Sequence, residues 1–293
     1  MNAIQLSNLT KYYGKSRGIL NLNLDVKEGE FFGFIGPNGA GKSTTIRTLL
    51  GLITPSSGQA KIFDETIRKR NPQIRSHIGY LPSEAVFYRG MKVKDLLKLS
   101  ADLHYKDCSV EREILCRRLQ LDVNRKVDEL SFGNRKKVAI VSALQHQPKL
   151  LILDEPTSGL DPLMQREFFH IIRERNEQGA TVFLSSHVLS EIQRNCTRAA
   201  IIREGRIIAC DRVEALSKTN AKRISVQGQV SLDSLEEIRD LKENDGVFSF
   251  LYGGDIHRLL ETLSAETITD LSISDPDLDE IFLHYYENGG EQV

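Results

Sequence analysis

A glycine-rich run near the start of the sequence has the composition and spacing of a phosphate-binding loop. Residues 36–43 fit the pattern G-x-x-x-x-G-K-[ST]. Glycines let successive backbone N–H groups converge on phosphate oxygens, Lys42 can reach the β and γ phosphates, and the Ser43 hydroxyl can bind Mg²⁺. The alternative, a chance glycine turn, is disfavoured because the run lies between a strand pattern and a helix pattern. The residues assigned to nucleotide binding here are Gly36, Pro37, Asn38, Gly39, Ala40, Gly41, Lys42, Ser43 and Thr44.

An acidic pair later in the sequence fits the same chemistry. Residues 150–153 form a short apolar run typical of a buried parallel strand, and Asp154 and Glu155 follow it directly. Ligands of α/β proteins bind at the carboxyl ends of such strands. Asp154 is predicted to hold Mg²⁺ through water, and Glu155 to orient and deprotonate an attacking water. Alone, such a pair is commonly a turn; together with the phosphate loop it predicts hydrolysis of a nucleoside triphosphate.

The hydrophobic pattern predicts the elements that position these residues. Residues 30–35 are typical of a buried strand that leads into the loop, and Ile46, Leu49 and Leu50 then fall at helical spacing until Gly51. Before them, residues 20–26 alternate apolar and polar side chains, which is the pattern of a half-buried antiparallel strand. The order of strand, glycine loop and helix predicts an α/β fold.

The composition of the whole chain bounds the class of protein. The sequence has 293 residues, with 39 Lys plus Arg against 40 Asp plus Glu and 40% hydrophobic residues. These values are typical of a globular chain with one large domain, or a large and a small one, and exclude collagen-like and low-complexity classes. No apolar stretch approaches the roughly 18 residues of a membrane-spanning helix, and the first residues lack a signal pattern, so a cytosolic chain is expected.

The spacing of the cysteines does not indicate disulfide bonds or a metal site. The four cysteines are far apart in sequence and include no C-x-x-C pair. Buried or incidental thiols are therefore expected, rather than disulfides or a zinc site. The residues concerned are Cys108, Cys116, Cys196 and Cys210.

The near-zero net charge conceals an asymmetry between the two ends of the chain. Residues 224–293 contain 16 acidic and 3 basic residues, so the remainder contains 24 acidic and 36 basic ones. This shift predicts two parts with a boundary near Lys222 and Arg223. The acidic part can equally be a passive, separately solvated module, whereas the basic part suits an anionic ligand or membrane surface.

A third motif completes a family pattern. Residues 130–134, Leu-Ser-Phe-Gly-Asn, precede a helix pattern that carries Val138, Val141 and Leu144. With the phosphate loop and the acidic pair, the sequence resembles, over essentially its whole length, the ATP-binding subunit of ABC transporters. The resemblance implies an α/β P-loop NTPase (ABC ATPase) core with an antiparallel β subdomain and a helical insertion, plus a small C-terminal α+β domain. The implied domains are 1–222, with a helical subdomain at about 84–145, and an acidic domain at 223–293.

The resemblance also implies how two chains would work together. In the family, the Ser and second Gly of the signature motif contact the γ phosphate bound to the partner subunit. By that likeness Ser131 and Gly133 act in trans, in a head-to-tail homodimer with two ATP molecules at its interface. Asp161 resembles the last residue of the family's D-loop near the dimer contact, and with Pro162 it is also a good helix N-cap pair.

Two further residues are implied by the same likeness. His187 follows a strand pattern at 180–186 and resembles the switch histidine that touches the γ phosphate. Tyr13 resembles the aromatic residue that stacks on adenine. Its neighbour Tyr12 is an alternative, and an ordinary strand-edge tyrosine is another.

The sequence departs from the family pattern at two places. Ser83 and Glu84 stand where the family commonly has Gln, so metal binding is assigned to neither. In the signature motif, Phe132 and Asn134 replace the usual Gly and Gln, and three cations follow at 135–137. Cations in the first turn of a helix oppose its dipole, so they indicate either a nearby anion or a well-solvated turn.

Further segments bear on partners and on the tail. Residues 91–121 predict a small helical insertion, which in the family forms, with the loop before it, a groove for the membrane subunit; Phe87 and Tyr88 are the candidates there. A hairpin is predicted around Glu204 and Gly205. The tail predicts strands at 223–227, 247–252 and 267–274 and helices at 231–241, 255–263 and 275–286. It resembles the small α+β domain of many bacterial exporter ATPase subunits.

The leading interpretation is therefore an ATP-hydrolysing subunit, with ATP and Mg²⁺, that drives export through a separately encoded integral-membrane permease. Such a subunit is cytoplasmic and peripheral on the inner face of the membrane, and no nucleic acid is expected as a partner. The alternative is a soluble ABC ATPase acting on ribosomes or nucleic acid. A nucleotide-binding regulator without turnover is a third possibility, against which the retained Glu155 argues.

Overall fold

The computed structural model describes residues 1–67, 72–216, 222–232, 234–264 and 266–274. The chain divides into two compact units, Met1–Val213 and Glu214–Val293. Each unit has its own sheets and its own buried apolar cluster. The first carries the chemistry-bearing motifs.

The first unit begins with an antiparallel sheet of order β2-β1-β4-β5. Its strands are β1 (Asn2–Tyr13), β2 (Ser16–Lys27), β4 (Ser57–Ile62) and β5 (Glu65–Thr66). In β2 the side chains of Leu22, Leu24 and Val26 are buried while the polar residues between them are exposed. This alternation confirms the predicted half-buried antiparallel strand, because one face packs on the core and the other faces solvent.

The second sheet of this unit has the order β10-β9-β3-β8-β7-β6. The pairs among β9, β3, β8, β7 and β6 are parallel, and β10 is antiparallel to β9. All residues of β3, β7 and β8 are buried, as expected for strands covered on both faces. The strands are β3 (Phe31–Ile35), β6 (Ile78–Leu81), β7 (Leu150–Asp154), β8 (Thr181–Ser186), β9 (Arg198–Arg203) and β10 (Arg206–Arg212).

The register of the parallel strands brings the candidate residues to one edge. Ile35, the last residue of β3, pairs with Ser186, the last residue of β8. Asp154, at the end of β7, pairs with Ser185. The phosphate loop, the acidic pair and His187 therefore leave the sheet at neighbouring positions. The predicted hairpin is confirmed as β9 and β10, joined through Glu204 and Gly205 in the left-handed region.

Helices cover the sheets and form the insertion. Helices α3 and α4 follow β6 and precede α5, which confirms the predicted helical insertion. Helix α6 begins at Pro162 and is capped by Asp161, whose side chain accepts from the backbone of Leu163 and Met164. The helices are α1 (Lys42–Leu49), α2 (Pro72–Arg75), α3 (Val93–Leu103), α4 (Ser109–Arg118), α5 (Phe132–Leu144), α6 (Pro162–Glu177), α7 (Leu189–Asn195) and α8 (Val213–Leu216).

Beyond α8, which spans the boundary between the units, the described residues of the second unit contain an antiparallel sheet of order β12-β13-β11-β14 and the helix α9 (Ile256–Ser264). Ile224, Phe250 and Leu259 are fully buried in its apolar cluster. The strands predicted at 223–227, 247–252 and 267–274, and the helix at 255–263, are confirmed. Its strands are β11 (Lys222–Gln229), β12 (Ile238–Asn244), β13 (Val247–Tyr252) and β14 (Thr267–Ser274).

One predicted helix of the second unit is wrong. Residues 231–241 contain no helix among those described, and Ile238 instead begins β12, where it pairs with Tyr252 of β13. Positive φ angles at Glu237 and Asp240 interrupt the run. Leu241, which the helical spacing would bury, is 51% exposed. The helix predicted at 275–286 lies outside the described residues.

Two properties of the chain complete the description. No described helix is long and apolar enough to cross a membrane. All four thiols are free; those of Cys108, Cys116 and Cys196 are buried, and Cys210 on β10 is exposed. The cysteines therefore cross-link no part of the fold.

Candidate nucleotide-binding site

The glycine run forms the turn between β3 and α1. Gly39 and Gly41 have φ angles of +81° and +112°, in the left-handed region that favours glycine. At Gly36 an added Cβ would lie 2.3 Å from the carbonyl oxygen of Ile202, so no larger residue fits there. The turn ends at the N-terminus of α1, where unpaired N–H groups favour an anion. The local geometry is that of a phosphate cradle.

Lys42 lies across this turn and is almost fully buried. Its ammonium donates to the carbonyl of Gly36 at 2.5 Å and to that of Pro37 at 3.3 Å. It also forms an ion pair with Oε1 of Glu155 at 3.2 Å. The phosphate loop and the acidic pair, which are far apart in the sequence, are thus in direct contact.

Ser43 and Asp154 present oxygen atoms beside that contact. The Ser43 hydroxyl donates to Oδ2 of Asp154 at 3.2 Å. Burial raises the pKa of Asp154, while the neighbouring hydroxyls of Ser185 and Ser43 oppose the increase. The other carboxylate oxygen, Oδ1, is buried with no hydrogen-bond partner among the described residues. Because Mg²⁺ is bound by carboxylate and hydroxyl oxygens together with water, this pair fits a magnesium ion.

Glu155 follows Asp154 with a left-handed backbone, φ +49°. Its Oε2 lies 2.6 Å from Nδ1 of His187, which follows β8. The carboxylate is thus held between Lys42 and His187, and its side chain is 17% exposed. A carboxylate held this way can accept a proton from a water bound next to it.

A partly buried carboxylate that belongs to none of the motifs supports this edge of the sheet. Glu191, in the first turn of α7, accepts hydrogen bonds from Thr157 at 2.5 Å and from Ser186 at 2.8 Å. Burial raises its pKa. Because Ser186 immediately precedes His187, Glu191 helps to fix the start of the segment that carries the histidine. Its sequence position carries no signal beyond that of an ordinary first-turn acid.

Tyr13 lies near the start of α1. An added Cβ on Gly18 would contact both Cε2 of Tyr13, at 3.1 Å, and Cγ2 of Thr44, at 3.3 Å. The ring is 44% exposed and lies under the ammonium of Lys11, 5.5 Å from the ring centroid. Tyr12 is similarly exposed, and its backbone N–H bonds to Ser56. The contact with Gly18 favours Tyr13 over Tyr12 as the aromatic beside the phosphate loop.

The signature segment, residues 130–134, contacts residues 158–161 of the same chain, which resemble the family's D-loop. Ser131 caps α5, since its hydroxyl accepts from the backbone of Asn134 at 3.3 Å. An added Cβ on Gly133 would lie 2.7 Å from the carbonyl oxygen of Gly159, and one on Gly159 would meet the ring of Phe132 at 2.2 Å. Within the described ranges, neither Ser131 nor Gly133 hydrogen-bonds to the phosphate loop.

The middle one of the three cations after the signature does not lie in a solvated turn. Lys136 is fully buried, and the carboxylates of Asp154 and Glu155 lie near it, which agrees with the expectation of a nearby anion. Its ammonium bonds to three backbone carbonyls, among them those of Ser83 and Glu155. No motif in the sequence marks Lys136 as part of the site.

The combination of a glycine turn, a buried lysine, and a serine and aspartate from different elements defines a P-loop nucleoside triphosphatase. Comparisons with known proteins give the family. The family model described as ABC transporter matches residues 19–158. The chain is 38% identical over 227 residues to the bacitracin transport ATP-binding protein BcrA of Bacillus licheniformis, covering 76% of this chain and 74% of that protein.

Other relatives extend the match. The linearmycin resistance ATP-binding protein LnrL of Bacillus subtilis is 29% identical over 302 residues, covering 96% of this chain and 97% of that protein. An ATP-binding subunit of an ABC transporter has a solved structure with TM-score 0.69 and 30% identity, covering 73% of this chain and 91% of that one. A dimeric bacterial ABC transporter cassette gives TM-score 0.65 and 25% identity, covering 72% and 98%.

The chain belongs to the ATP-binding subunits of ABC transporters, and it is an ATPase of that family. The predicted family is therefore confirmed, and so is the predicted fold: a P-loop ATPase core with an antiparallel β subdomain, a helical insertion and a further α+β unit. The identity with LnrL runs over nearly the whole of both chains, so it includes the second unit.

Proposed function

We propose that this chain binds ATP with Mg²⁺ at the edge of the sheet and hydrolyses it there. The observation that carries the proposal is the contact of Lys42 with Glu155, because it joins the phosphate cradle to the acidic pair. In this assignment, the backbone of residues 36–41 and Lys42 bind the β and γ phosphates, and Thr44 lies beside them. Tyr13, close to Thr44, stacks on adenine.

Ser43 and Asp154 would hold the magnesium ion. The support is the buried, unpartnered Oδ1 of Asp154 and the neighbouring Ser43 hydroxyl. When bound, Mg²⁺ neutralises charge on the β and γ phosphates. Burial disfavours the charged carboxylate of Asp154 and raises its pKa, so a bound cation would stabilise the ionised form.

Glu155 is the general base of the proposed reaction. A water attacks the γ phosphorus, the bond between that phosphorus and the bridging oxygen breaks, and ADP leaves. The water's proton passes to the Glu155 carboxylate. His187, 2.6 Å from Oε2, orients the carboxylate and can contact the γ phosphate.

The working unit is a head-to-tail homodimer in which Ser131 and Gly133 of one chain bind the γ phosphate held by the other, with Asp161 near the contact. The exposed ring of Phe132, at 46%, lies between them on the same segment. A solved cassette of similar fold is dimeric, which supports this assembly.

The partner is a separately encoded integral-membrane permease, through which ATP turnover drives export. BcrA is named for bacitracin transport and LnrL for linearmycin resistance, and both names support export. Tyr88 is 74% exposed beside the half-buried Phe87, in the loop before the helical insertion, as a docking surface requires. The chain would then be cytoplasmic and peripheral on the inner face of the membrane, without a nucleic-acid partner.

Co-purification tests the proposal. A tagged Glu155→Gln chain, expressed in its native host and supplied with ATP and Mg²⁺, should retain a polytopic membrane protein from detergent-solubilised membranes. Lys42→Ala, which should not bind ATP, is the matched control and should retain less. Recovery of ribosomal proteins or nucleic acid, with no membrane protein, would instead favour the soluble alternative.

A further inference from the structure

The ammonium of Lys136 joins three separate segments of the site. Lys136 lies in the first turns of α5 and is 1% exposed. Its Nζ donates to the carbonyl of Pro82 at 2.9 Å, of Ser83 at 3.0 Å and of Glu155 at 3.0 Å. An ammonium has three N–H donors, so these three carbonyls use all of them. The contacts tie α5 to the loop after β6 and to the residue after β7.

The surroundings explain how a charge is tolerated here. Burial lowers the pKa of Lys136 to about 8, whereas the nearby carboxylates of Asp154 and Glu155 raise it. Removing one partner of a buried polar contact leaves the other unsatisfied, which is unfavourable. The ammonium and the three carbonyls therefore stabilise one another's positions.

The hydrogen bond from Lys136 to the Glu155 carbonyl bears on catalysis because Glu155 has an unfavourable backbone conformation. Glu155 has φ +49°, a region that glutamate does not favour. Three hydrogen bonds hold the conformation: its N–H donates to the carbonyl of Ser185 at 3.0 Å, and its own carbonyl accepts from Lys136 at 3.0 Å and from the N–H of Ser158 at 3.4 Å. These bonds fix the backbone on both sides of the Glu155 Cα, and with it the direction in which the carboxylate leaves the chain.

We propose that Lys136 is a positioning residue for ATP hydrolysis. It holds the Glu155 carbonyl so that the carboxylate meets the attacking water, and it couples that geometry to residues 82 and 83 at the start of the loop before the helical insertion. The inference rests on the proposed role of Glu155 as the general base. It predicts that Lys136 governs the rate of hydrolysis and leaves ATP binding largely unchanged.

The test begins with Lys136→Met, which keeps the length of the side chain and removes its donors. We expect kcat to fall about tenfold to a hundredfold and KM for ATP to change less than about threefold. The reason is that a small displacement of a catalytic group slows the chemical step and leaves substrate binding largely unchanged. Lys136→Gln, whose amide retains two N–H donors, should recover part of kcat. Lys137→Met, which removes a charge from the same turn, is the matched control and should stay within about twofold of the wild type.

A double-mutant cycle with Glu155→Gln separates positioning from general damage. If Lys136 acts through Glu155, Lys136→Met causes little further loss of kcat in the Glu155→Gln background. Wild-type kcat in Lys136→Met, an equal fold loss in both backgrounds, or an equal loss in Lys137→Met would each overturn the inference. If Lys136→Met does not fold, Lys136→Gln is carried through the same cycle. Unchanged turnover in Glu155→Gln alone would reject the proposed general base instead.

Discussion

At the scale of single residues, the site is a line of side chains from separate elements. Lys42 comes from α1, Glu155 from the end of β7 and His187 from the end of β8, and the carboxylate lies between the two nitrogen-bearing side chains. The motif spacing predicts which residues take part, because phosphate and metal chemistry constrains their types. Lys136 could not be predicted this way, since its ammonium is held by carbonyls that follow β6 and β7, and the folded sheet brings them together.

Glu155→Gln tests the residue at the centre of this line. The amide keeps the size of the side chain but cannot accept the proton, so turnover should fall by about two to four orders of magnitude. Binding of ATP, measured with a fluorescent analogue, should persist because Lys42 and the loop remain. Wild-type turnover would remove Glu155 from the role of base.

Ser83→Gln tests the departure from the family pattern. The Ser83 side chain is short, while its carbonyl is already bonded to Lys136. A longer amide could reach the metal and the attacking water, so the Mg²⁺ concentration for half-maximal ATPase activity should decrease. Ser83→Ala is the control and should leave the titration where the wild type has it. An unaltered titration in Ser83→Gln would mean that the position does not face the metal.

At the scale of elements, the sequence predicts a helix boundary correctly where a local capping motif determines it. Asp161 and Pro162 predict the start of α6, which the two hydrogen bonds to Asp161 confirm. Local sequence signals fail at residues 231–241. The helical spacing there is that of Leu232, Leu235, Ile238 and Leu241. Pairing of Ile238 with Tyr252 on β13 prevails there, because cross-strand contacts outweigh a weak helical preference.

Asp161→Ala tests the cap of α6. The substitution removes the side-chain oxygen that accepts from the N–H groups of Leu163 and Met164. The free energy of unfolding should therefore decrease by about 1 kcal/mol. Asp161→Asn is the matched variant, since an amide oxygen caps as well without the charge. Urea denaturation followed by circular dichroism measures both. Equal destabilisation by Ala and Asn would show that the charge, not the cap, is what matters.

At the scale of the whole molecule, the charge asymmetry has a counterpart in the division of the chain. The acidic excess lies in residues 224–293, and the second compact unit begins at Glu214. The first unit holds every residue proposed to contact ATP. The charge balance predicts two parts, but nothing in it indicates what the acidic one does.

The proposed dimer makes a prediction at this scale. With ATP and Mg²⁺, Glu155→Gln should sediment as a dimer because bound ATP is not consumed, and Lys42→Ala should remain a monomer. Sedimentation velocity measures the two masses. Ser131→Ala in the Glu155→Gln background should weaken the dimer, since the signature serine acts on the other chain's nucleotide. A dimer that forms equally well in all three would show that ATP does not hold the chains together.

The distribution of thiols allows the native chain to be labelled at one position. Since only Cys210 of the four cysteines is exposed, a maleimide reagent should attach one spin label or fluorophore to each native chain, on the edge strand of the large sheet. Two labelled chains would then carry a single pair of probes. Their separation could be followed through a catalytic cycle without first engineering any cysteine out of the protein.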